Sequence, residues 1–369
     1  MNILVTGSEG FIAKNLIERL NRIENLKIFS FSKEDNWEIL TSNLANIDFI
    51  FHLAGVNRPQ EKSEFYEGNR DLSKKLLEAL EKNHKKIPIL LSSSTQALMD
   101  NDYGKSKKES ETLITAYATR NNVPAYIYRL PNVFGKWCRP NYNSVIATWC
   151  HNISHNIPLK INDKNAQLTL TYIDDVVEHF VEHLFSTEST AKFCEINTVY
   201  QRTLGEISNL LEQFKANRHS LKIPAVGQGF ERALYATYLS YLPTDQFSYE
   251  LKGHCDERGT FYEILKTFDS GQFSISTTNP GDIMRGEHYH NTKNEKFLVI
   301  KGTATIELRQ IHSHEVIEYK VNDKKMEVVE MIPGYTHNIK NTSDEVMILL
   351  IWANEVYNHD KPDTNYLKV

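Results

Sequence analysis

The sequence predicts an α/β domain with a doubly wound parallel sheet, followed by an all-β domain that closes as an antiparallel barrel. Up to about residue 130, short apolar runs alternate with helical patterns, which is typical of parallel sheets with crossover helices. Between residues 239 and 251 the composition turns to Tyr, Ser, Pro and Asp, and strands of period two follow. A chain of 369 residues is too long for one ordinary core. We therefore predict two domains, residues 1–245 and 246–369.

The first domain is predicted to form a Rossmann-type sheet and then a lobe that binds substrate. Its strands are predicted from β-branched or apolar runs at 3–6, 27–31, 49–53, 89–93 and 125–129. Apolar residues at helical spacing predict the crossovers, with Leu16, Leu20 and Ile23 in one and Leu72, Leu76, Leu77 and Leu80 in another. The lobe is predicted from later helical segments at 144–154, 174–184 and 204–214.

The second domain is predicted from short strands that are separated by turn sequences. Asn-Pro-Gly, Lys-Gly, Asn-Asp and Pro-Gly turns lie between them. The predicted strands are 272–278, 296–300, 304–309, 316–320, 327–331 and 346–352. An antiparallel barrel is the expected arrangement, because closure removes exposed sheet edges.

Charge and cysteine content favour a soluble enzyme that acts on small molecules. The formal net charge is −5 and the basic residues are scattered, so neither nucleic acid nor an anionic membrane is an expected partner. The sequence has no apolar run of about 18 residues and no basic leader before an apolar stretch, so we expect no secretion signal and no membrane span. The four cysteines lie far apart without a Cys-x-x-Cys pair, which favours a cytoplasmic location.

A glycine turn after the first predicted strand indicates a dinucleotide site. In Thr-Gly-Ser-Glu-Gly-Phe-Ile-Ala the glycines allow backbone amides to approach a pyrophosphate, and the start of the next helix stabilises its charge. A second element, His-Leu-Ala-Gly, follows the third strand. The cofactor-binding residues predicted from these two elements are Gly7, Gly10, Phe11, Ile12, Leu53 and Ala54.

Tyr103 and Lys107 are predicted to share one face of a helix, because they lie four residues apart. A tyrosine is a poor acid or base at neutral pH, and a nearby ammonium with a cationic nicotinamide is expected to lower its pKa. Lys107 can also hold the nicotinamide ribose. Ser94, at the end of the preceding strand, is expected to hydrogen-bond the substrate oxygen. The predicted catalytic residues are therefore Tyr103, Lys107 and Ser94.

Residues 1–245 resemble the extended short-chain dehydrogenase/reductases that act on nucleotide sugars. The resemblance includes the motifs above, Arg-Leu-Pro-Asn-Val-Phe-Gly around Asn132, and Tyr-Ile-Asp-Asp from Tyr172. It implies that Asn132 contacts the nucleotide sugar. Three departures are Ala13 at the third position of the glycine motif, the separation of Ser94 from Tyr103 by only eight residues, and Leu168 where an arginine often stands.

The residues after the second strand favour NADPH as the cofactor. An acidic residue often binds the ribose hydroxyls of NAD at this position. This chain has Ser30, Ser32 and Lys33 instead. Hydroxyls and a cation suit the 2′-phosphate of NADP, so we predict that these three residues contact the cofactor.

His288, His290, Glu295 and His337 are the predicted metal ligands. With the glycines around them they resemble the cupin motif, in which imidazoles and a carboxylate converge inside a small barrel. His288 and His290 are two apart on a predicted strand and therefore point to the same side. Such ligands suit Zn, Mn, Fe or Ni, and among these divalent metals we expect zinc.

Two stretches of the second domain resemble the deoxyhexulose 3,5-epimerases, namely Asp-Glu-Arg-Gly-Thr-Phe and Met-Arg-Gly-Glu-His-Tyr. The resemblance implies that Arg258 and Arg285 bind the nucleotide diphosphate and that His288 removes a proton beside a ketone. His288 can hardly be both a free base and a metal ligand. Either the metal polarises the ketone or another residue takes the proton.

The whole chain resembles the CapF-type bifunctional enzymes of capsular polysaccharide synthesis, in order and in strings such as Phe-Gly-Lys-Trp-Cys-Arg-Pro-Asn-Tyr-Asn. The resemblance implies a homodimer that acts on a UDP-linked 4-keto-6-deoxy-HexNAc. It implies C3 epimerisation in the second domain and NADPH-dependent C4 reduction in the first. Two alternatives stay open: a metal that only stabilises a binding or dimerising barrel, and an iron site that oxidises substrate with dioxygen.

Overall fold

The computed structural model describes residues 1–186, 190–281 and 286–369. The predicted fold class, an α/β domain with a doubly wound parallel sheet followed by an all-β domain, is confirmed. The chain forms two compact units, one made of Met1–Leu211 and Gly229–Pro243 and the other of Glu212–Gln228 and Thr244–Val369. The roles of the domains predicted at 1–245 and 246–369 stay predictions.

The helices lie mainly in the first unit. They are α1 (Phe11–Leu20), α2 (Trp37–Asn43), α3 (Ser63–Phe65), α4 (Leu72–Lys82), α5 (Asp102–Asn121), α6 (Val145–Ser154), α7 (Ile173–Glu182), α8 (Leu204–Ser220) and α9 (Gly229–Leu239). A π-helical turn, Tyr66–Asp71, joins α3 to α4. Among the described residues, no helix combines the length and the apolar character that crossing a membrane requires.

The first unit contains a parallel sheet and a smaller mixed sheet. Its strands are β1 (Asn2–Thr6), β2 (Lys27–Phe31), β3 (Phe49–His52), β4 (Ile89–Ser94), β5 (Ala125–Leu130), β6 (Asn132–Phe134), β7 (Gln167–Tyr172), β8 (Ala191–Cys194) and β9 (Tyr200–Thr203). The parallel sheet has the order β2-β1-β3-β4-β5-β8. The smaller sheet, β6-β7-β9, was not predicted, because its strands are short and partly exposed.

Both faces of the parallel sheet are covered by apolar layers. Side chains alternate along β1, so Leu4 packs in one buried cluster while Ile3 and Val5 pack in the other. The first cluster includes residues of α4 and α5, and the second includes residues of α1 and α7. Burial on both faces explains why the strands are apolar throughout.

The second unit is built from two sheets. Its strands are β10 (Lys222–Ile223), β11 (Gly253–Asp256), β12 (Gly259–Thr267), β13 (Gln272–Thr278), β14 (His288–Tyr289), β15 (Glu295–Lys301), β16 (Thr303–Gln310), β17 (Val316–Asn322), β18 (Val328–Met331), β19 (Tyr335–Asn341), β20 (Met347–Ala353) and β21 (Asn365–Tyr366). One sheet has the order β10-β12-β13-β20-β15-β18, with β11 paired to β12, and the other has the order β17-β16-β19-β14-β21. An apolar core from both sheets lies between them, with Phe297 and Leu349 from one and Ile306 and Ile339 from the other.

Candidate functional site

The glycine turn lies where β1 ends and α1 begins. Gly7 has φ +69°, a left-handed conformation that favours glycine, and a Cβ there would lie 2.7 Å from the Cα of Ala54. Gly10 is the N-cap of α1, which begins at Phe11 and continues with Ile12. The turn and Ala54 meet because β1 and β3 are parallel neighbours, so that their carboxyl ends lie together. A side chain at Gly7 would fill this cradle, which fits a bound pyrophosphate.

The residues at the end of β2 and directly after it are predicted to contact the adenosine end of the cofactor. Ser30 and Lys33 are exposed, and Ser32 is half-buried. Lys33 Nζ lies 3.6 Å from the Glu34 carboxylate. The sequence does contain a nearby carboxylate, Asp35, but this accepts a hydrogen bond from the Ser32 amide at 2.6 Å. Asp35 therefore stabilises the turn in this structure.

Ser94, Tyr103 and Lys107 come from two adjoining elements, β4 and α5. Ser94 ends β4, and Tyr103 and Lys107 lie one turn apart near the start of α5. The Ser94 hydroxyl is near enough to the Tyr103 phenol to influence its pKa. Lys107 is buried, and its Nζ donates to the Ser92 carbonyl oxygen at 3.1 Å. This arrangement can offer a hydroxyl proton beside a cation, which is the chemistry that reduction of a ketone requires.

The pKa of Tyr103 differs from the expectation. Burial raises the pKa of the Tyr103 phenol, although the nearby Ser94 side chain acts in the opposite direction. Burial also lowers the pKa of Lys107 to about 8, and the charge of Glu111 opposes this change. Tyr103 is therefore protonated at neutral pH and ready to donate a proton.

The lowered pKa of Lys107 predicts a decline of ketone reduction at alkaline pH. We expect kcat/KM to fall as pH rises through about 8, because Lys107 loses the charge that holds the ribose and favours a developing oxyanion. Initial rates of NADPH oxidation between neutral pH and pH about 10 measure this limb of the profile. In Lys107→Arg, residual activity should lack the decline, since the guanidinium stays charged. A flat wild-type profile across this range would contradict the assignment.

Three supporting contacts near this site were missed by the sequence analysis. A Cβ on Gly55 would lie 2.6 Å from Asn69 Oδ1 and 2.9 Å from Lys107 Nζ, so a side chain there would displace both groups. Asn69 donates to Ser106 Oγ at 3.0 Å, which links the π-helical turn to α5. The Phe65 ring lies 5.5 Å from the Tyr103 ring between centroids. A long-range contact of this kind has no local sequence signal.

A partly buried ion pair fixes the middle of α5 to the sheet. Glu111, one turn after Lys107, accepts two hydrogen bonds from Arg129 on β5, at 3.0 and 2.7 Å. Ser93 on β4 also donates to Glu111. In the sequence, the i, i+4 spacing from Lys107 could have drawn attention to Glu111, but no signal pointed to its partner Arg129. The pair holds the helix that carries Tyr103 and Lys107 against the ends of β4 and β5.

The predicted substrate-binding residues are less closely defined. Asn132 is exposed at the start of β6, and its Nδ2 donates to the Thr169 carbonyl oxygen at 3.2 Å. Arg258 is exposed beside the β11–β12 hairpin and pairs with Asp256 at 2.7 Å. Arg285 lies outside the described residues. The roles of these residues stay predictions.

Three of the four predicted metal ligands form a compact donor set in the second unit. Ligand atoms of His288, His290 and Glu295 all lie within 4.8 Å of one another. His337 is the antiparallel register partner of His288, and the two ring centroids are 4.6 Å apart. The buried atoms His290 Nε2 and His337 Nδ1 have no hydrogen-bond partner. Since buried polar atoms are normally paired, this donor set fits a divalent metal.

The ionisation of these residues also suits a metal. Burial lowers the pKa of His288, and burial with the neighbouring His288 lowers the pKa of His337 to about 3, so both imidazoles are neutral ligands. Burial opposes ionisation of Glu295. The nearby His290 side chain and the charge of Lys293 outweigh it and lower the pKa of Glu295 to about 2. The site therefore offers neutral imidazoles and one anionic oxygen.

Comparison with known proteins gives consistent results for both parts of the chain. The model described as the NAD dependent epimerase/dehydratase family matches residues 3–197, and that of the polysaccharide biosynthesis C-terminal domain matches residues 254–365. The chain is 47% identical over 364 residues to the UDP-2-acetamido-2,6-beta-L-arabino-hexul-4-ose reductase of Pseudomonas aeruginosa, covering 99% of this chain and 98% of that protein.

Solved structures are similar over different lengths. The capsular polysaccharide assembling protein CapF of Staphylococcus aureus has a TM-score of 0.93 at 45% identity, with 100% of both chains covered. The UDP-glucuronic acid 4-epimerase of Bacillus cereus, solved with NAD, has a TM-score of 0.56 at 19% identity. It covers 65% of this chain and 96% of its own, and this likeness shows the fold alone.

Proposed function

Because this chain belongs to the NAD dependent epimerase/dehydratase family and continues into a polysaccharide biosynthesis C-terminal domain, we propose that it converts a UDP-sugar in two successive steps. The predicted resemblance to CapF-type enzymes is confirmed. The substrate is a UDP-2-acetamido-2,6-dideoxy-4-hexulose. C3 is epimerised in the second domain, and the C4 ketone is then reduced in the first to give UDP-N-acetyl-6-deoxy-L-talosamine, on the route to UDP-N-acetyl-L-fucosamine.

The observation that carries the proposal is the position of Ser94, Tyr103 and Lys107. Ser94 lies at the carboxyl end of β4 in the parallel sheet, and Tyr103 and Lys107 lie near the start of α5. NADPH, when bound, supplies the hydride for C4. Ser94 donates a hydrogen bond to the ketone oxygen, and Tyr103 gives that oxygen its proton. The Lys107 charge favours the developing oxyanion. The name of the relative from Pseudomonas aeruginosa, a reductase of a UDP-linked hexul-4-ose, supports this substrate class.

Epimerisation is supported by the donor set in the second unit. The C3 proton is acidic because it lies beside the C4 ketone, and a divalent metal at the site would supply Lewis-acid stabilisation of negative charge. His288, His290 and Glu295 would hold the metal, with His337 beside them. A proton must leave C3 and return on the opposite face. The base that takes it is still to be assigned.

NADPH is the cofactor we propose, with Ser30, Ser32 and Lys33 around its 2′-phosphate. The Lys33 ammonium is exposed, and among the described ion pairs it has one partner, Glu34. It can therefore turn toward the phosphate. Lys33→Ala is expected to raise the KM for NADPH about fivefold while that for NADH is unchanged, since an exposed charge contributes modestly. Steady-state rates with each cofactor measure this. The matched control is Lys82→Ala, which removes an exposed lysine at the end of α4. If Lys33→Ala changed the KM values for NADPH and NADH equally, the assignment would be wrong.

The second candidate function is a monofunctional reductase whose metal only stabilises the barrel. The buried, unpaired His290 Nε2 favours this alternative, because a metal that binds it would stabilise the barrel whether or not it acts on substrate. The expected zinc, homodimer and cytoplasmic location also stay proposals. Sedimentation measures the oligomeric state.

The direct test of the reductase is substrate-dependent loss of NADPH absorbance with the 4-keto-6-deoxy UDP-HexNAc. We expect oxidation of one NADPH per sugar and an alcohol at C4 in the NMR spectrum of the product. NADPH oxidation without a C4 alcohol, or no oxidation with folded enzyme, would contradict the proposed reaction.

A further inference from the structure

The end of the chain is tied to the strand that carries the predicted metal ligands. β21 pairs with β14 in antiparallel register, with Tyr366 opposite His288 and Asn365 opposite Tyr289. The Leu367 amide donates to the Glu287 carbonyl oxygen at 2.9 Å. β14 has only two residues, so β19 on one side and β21 on the other provide its described sheet pairing. The last residues of the chain therefore help to define the position of His288.

Just before β21, the Asp363 carboxylate lies in a ring of donors from the turn that follows His290. It accepts hydrogen bonds from the backbone amides of Asn291, Thr292 and Lys293, at 2.7 to 3.0 Å. The Asn291 Nδ2 and Thr292 Oγ1 atoms also donate to it, each at 3.1 Å. Successive backbone amides that point at one anion form a nest, which is a specific arrangement for a carboxylate. This turn joins His290 to Glu295.

The backbone of Asp363 acts on the same histidine. His290 Nδ1 donates a hydrogen bond to the Asp363 carbonyl oxygen, which assigns the proton to Nδ1. The other nitrogen, His290 Nε2, is buried without a hydrogen-bond partner and lies 3.7 Å from Glu295 Oε2. A metal-binding histidine commonly donates its second N–H to a carbonyl or carboxylate in this way. Asp363 thus fixes the tautomer of His290 and the position of the turn between His290 and Glu295.

We propose that Asp363 is a positioning residue of the metal site, which holds the His290 ring with its carbonyl oxygen and the turn between His290 and Glu295 with its carboxylate. This inference rests on the proposed metal site and deepens it. Asp363 lies 70 to 73 residues after the residues that it contacts. A shift of the turn would move Glu295 relative to His290 and weaken the donor set. The metal affinity should therefore depend on a carboxylate that does not itself bind the metal.

The test compares zinc affinity in full-length wild type, Asp363→Asn and Asp363→Ala, by competition with a chromogenic chelator. Both variants keep the backbone carbonyl that holds His290, and they change the carboxylate that holds the turn. Loss of such support around metal ligands typically weakens affinity about 10- to 100-fold. We expect a loss of this size in Asp363→Ala and a smaller one in Asp363→Asn, which keeps one oxygen acceptor. Asp360→Asn is the matched control, because Asp360 is exposed in the same segment, and it should bind zinc like the wild type.

A second readout separates positioning from general stability. Absorption of the Co(II)-loaded proteins reports ligand geometry, and it should change in Asp363→Asn while the metal-free melting temperature stays close to that of Asp360→Asn. If Asp363→Ala does not fold, Asp363→Asn decides. Zinc affinity within about twofold of wild type in Asp363→Asn, with an unchanged Co(II) spectrum, would overturn the positioning role and leave the metal site standing. Failure of wild type to bind zinc or Co(II) would overturn both.

Discussion

Tyr103→Phe is expected to lower substrate-dependent NADPH oxidation by about 10²- to 10⁴-fold, the usual contribution of a positioned proton donor. The variant removes the hydroxyl near Ser94 and keeps the ring that packs against Phe65. The fold should therefore persist. Initial rates of NADPH oxidation measure the effect.

Tyr66→Phe provides the matched control for this substitution. Tyr66 lies in the π-helical turn, and its hydroxyl donates to Asp102 at 3.4 Å, so the change removes a hydroxyl near α5 without affecting the proposed proton donor. Its NADPH oxidation should be close to wild type. Tyr103→Phe should also retain exchange of the C3 proton with solvent, because that step is assigned to the second domain. Loss of C3 exchange in Tyr103→Phe would show that the two steps are not divided between the domains.

Glu295→Gln is expected to weaken zinc binding by more than about 100-fold and to abolish C3 epimerisation, because it removes the anionic ligand from the donor set. It also leaves the half-buried Lys293 ammonium, now 3.1 Å from Glu295 Oε1, without its ion-pair partner. Reduction of a substrate that is already epimerised should continue in the first domain. Zinc competition and separate assays of the two steps measure these effects.

Glu330→Gln is the control for this variant. Glu330 lies on β18 and pairs with Lys296 at the surface, so its replacement removes one carboxylate from the same unit without touching the donor set. Zinc binding and epimerisation should be unchanged. If Glu295→Gln lost zinc but epimerised C3 at the wild-type rate, the metal would be structural and the catalytic role would be wrong.

The sequence predicted strands most accurately where burial follows a simple pattern. β13 was predicted at 272–278, and its residues alternate between buried and half-buried. β12 was not predicted, because all its residues are half-buried and no alternation can be read. β10 was also missed, since two residues that pair in parallel with β12 have no local signal. Patterns within a strand are visible in a sequence, and pairing between distant segments is not.

The candidate sites show the same division. Spacing alone brought Tyr103 and Lys107 to one helix face and placed His288 near His290. It could not give the pKa of Tyr103, which burial raises, because burial depends on packing from several segments. Nor could it identify Asp363, whose contacts with the turn after His290 span about 70 residues. The types of ligand residue could be read from the sequence, but the residues that hold those ligands in position could not.

The most direct test of the two-step function is NMR in deuterated water of the 4-keto-6-deoxy UDP-HexNAc with zinc-loaded, full-length enzyme and no NADPH. The full chain is needed, because Lys222–Ile223 pairs with β12 and a fragment of residues 246–369 would lack it. We predict that deuterium enters C3 with wild type and Tyr103→Phe, and not with Glu295→Gln. Absence of C3 deuterium with folded, zinc-loaded wild type would contradict epimerisation and leave a reductase with a structural metal domain.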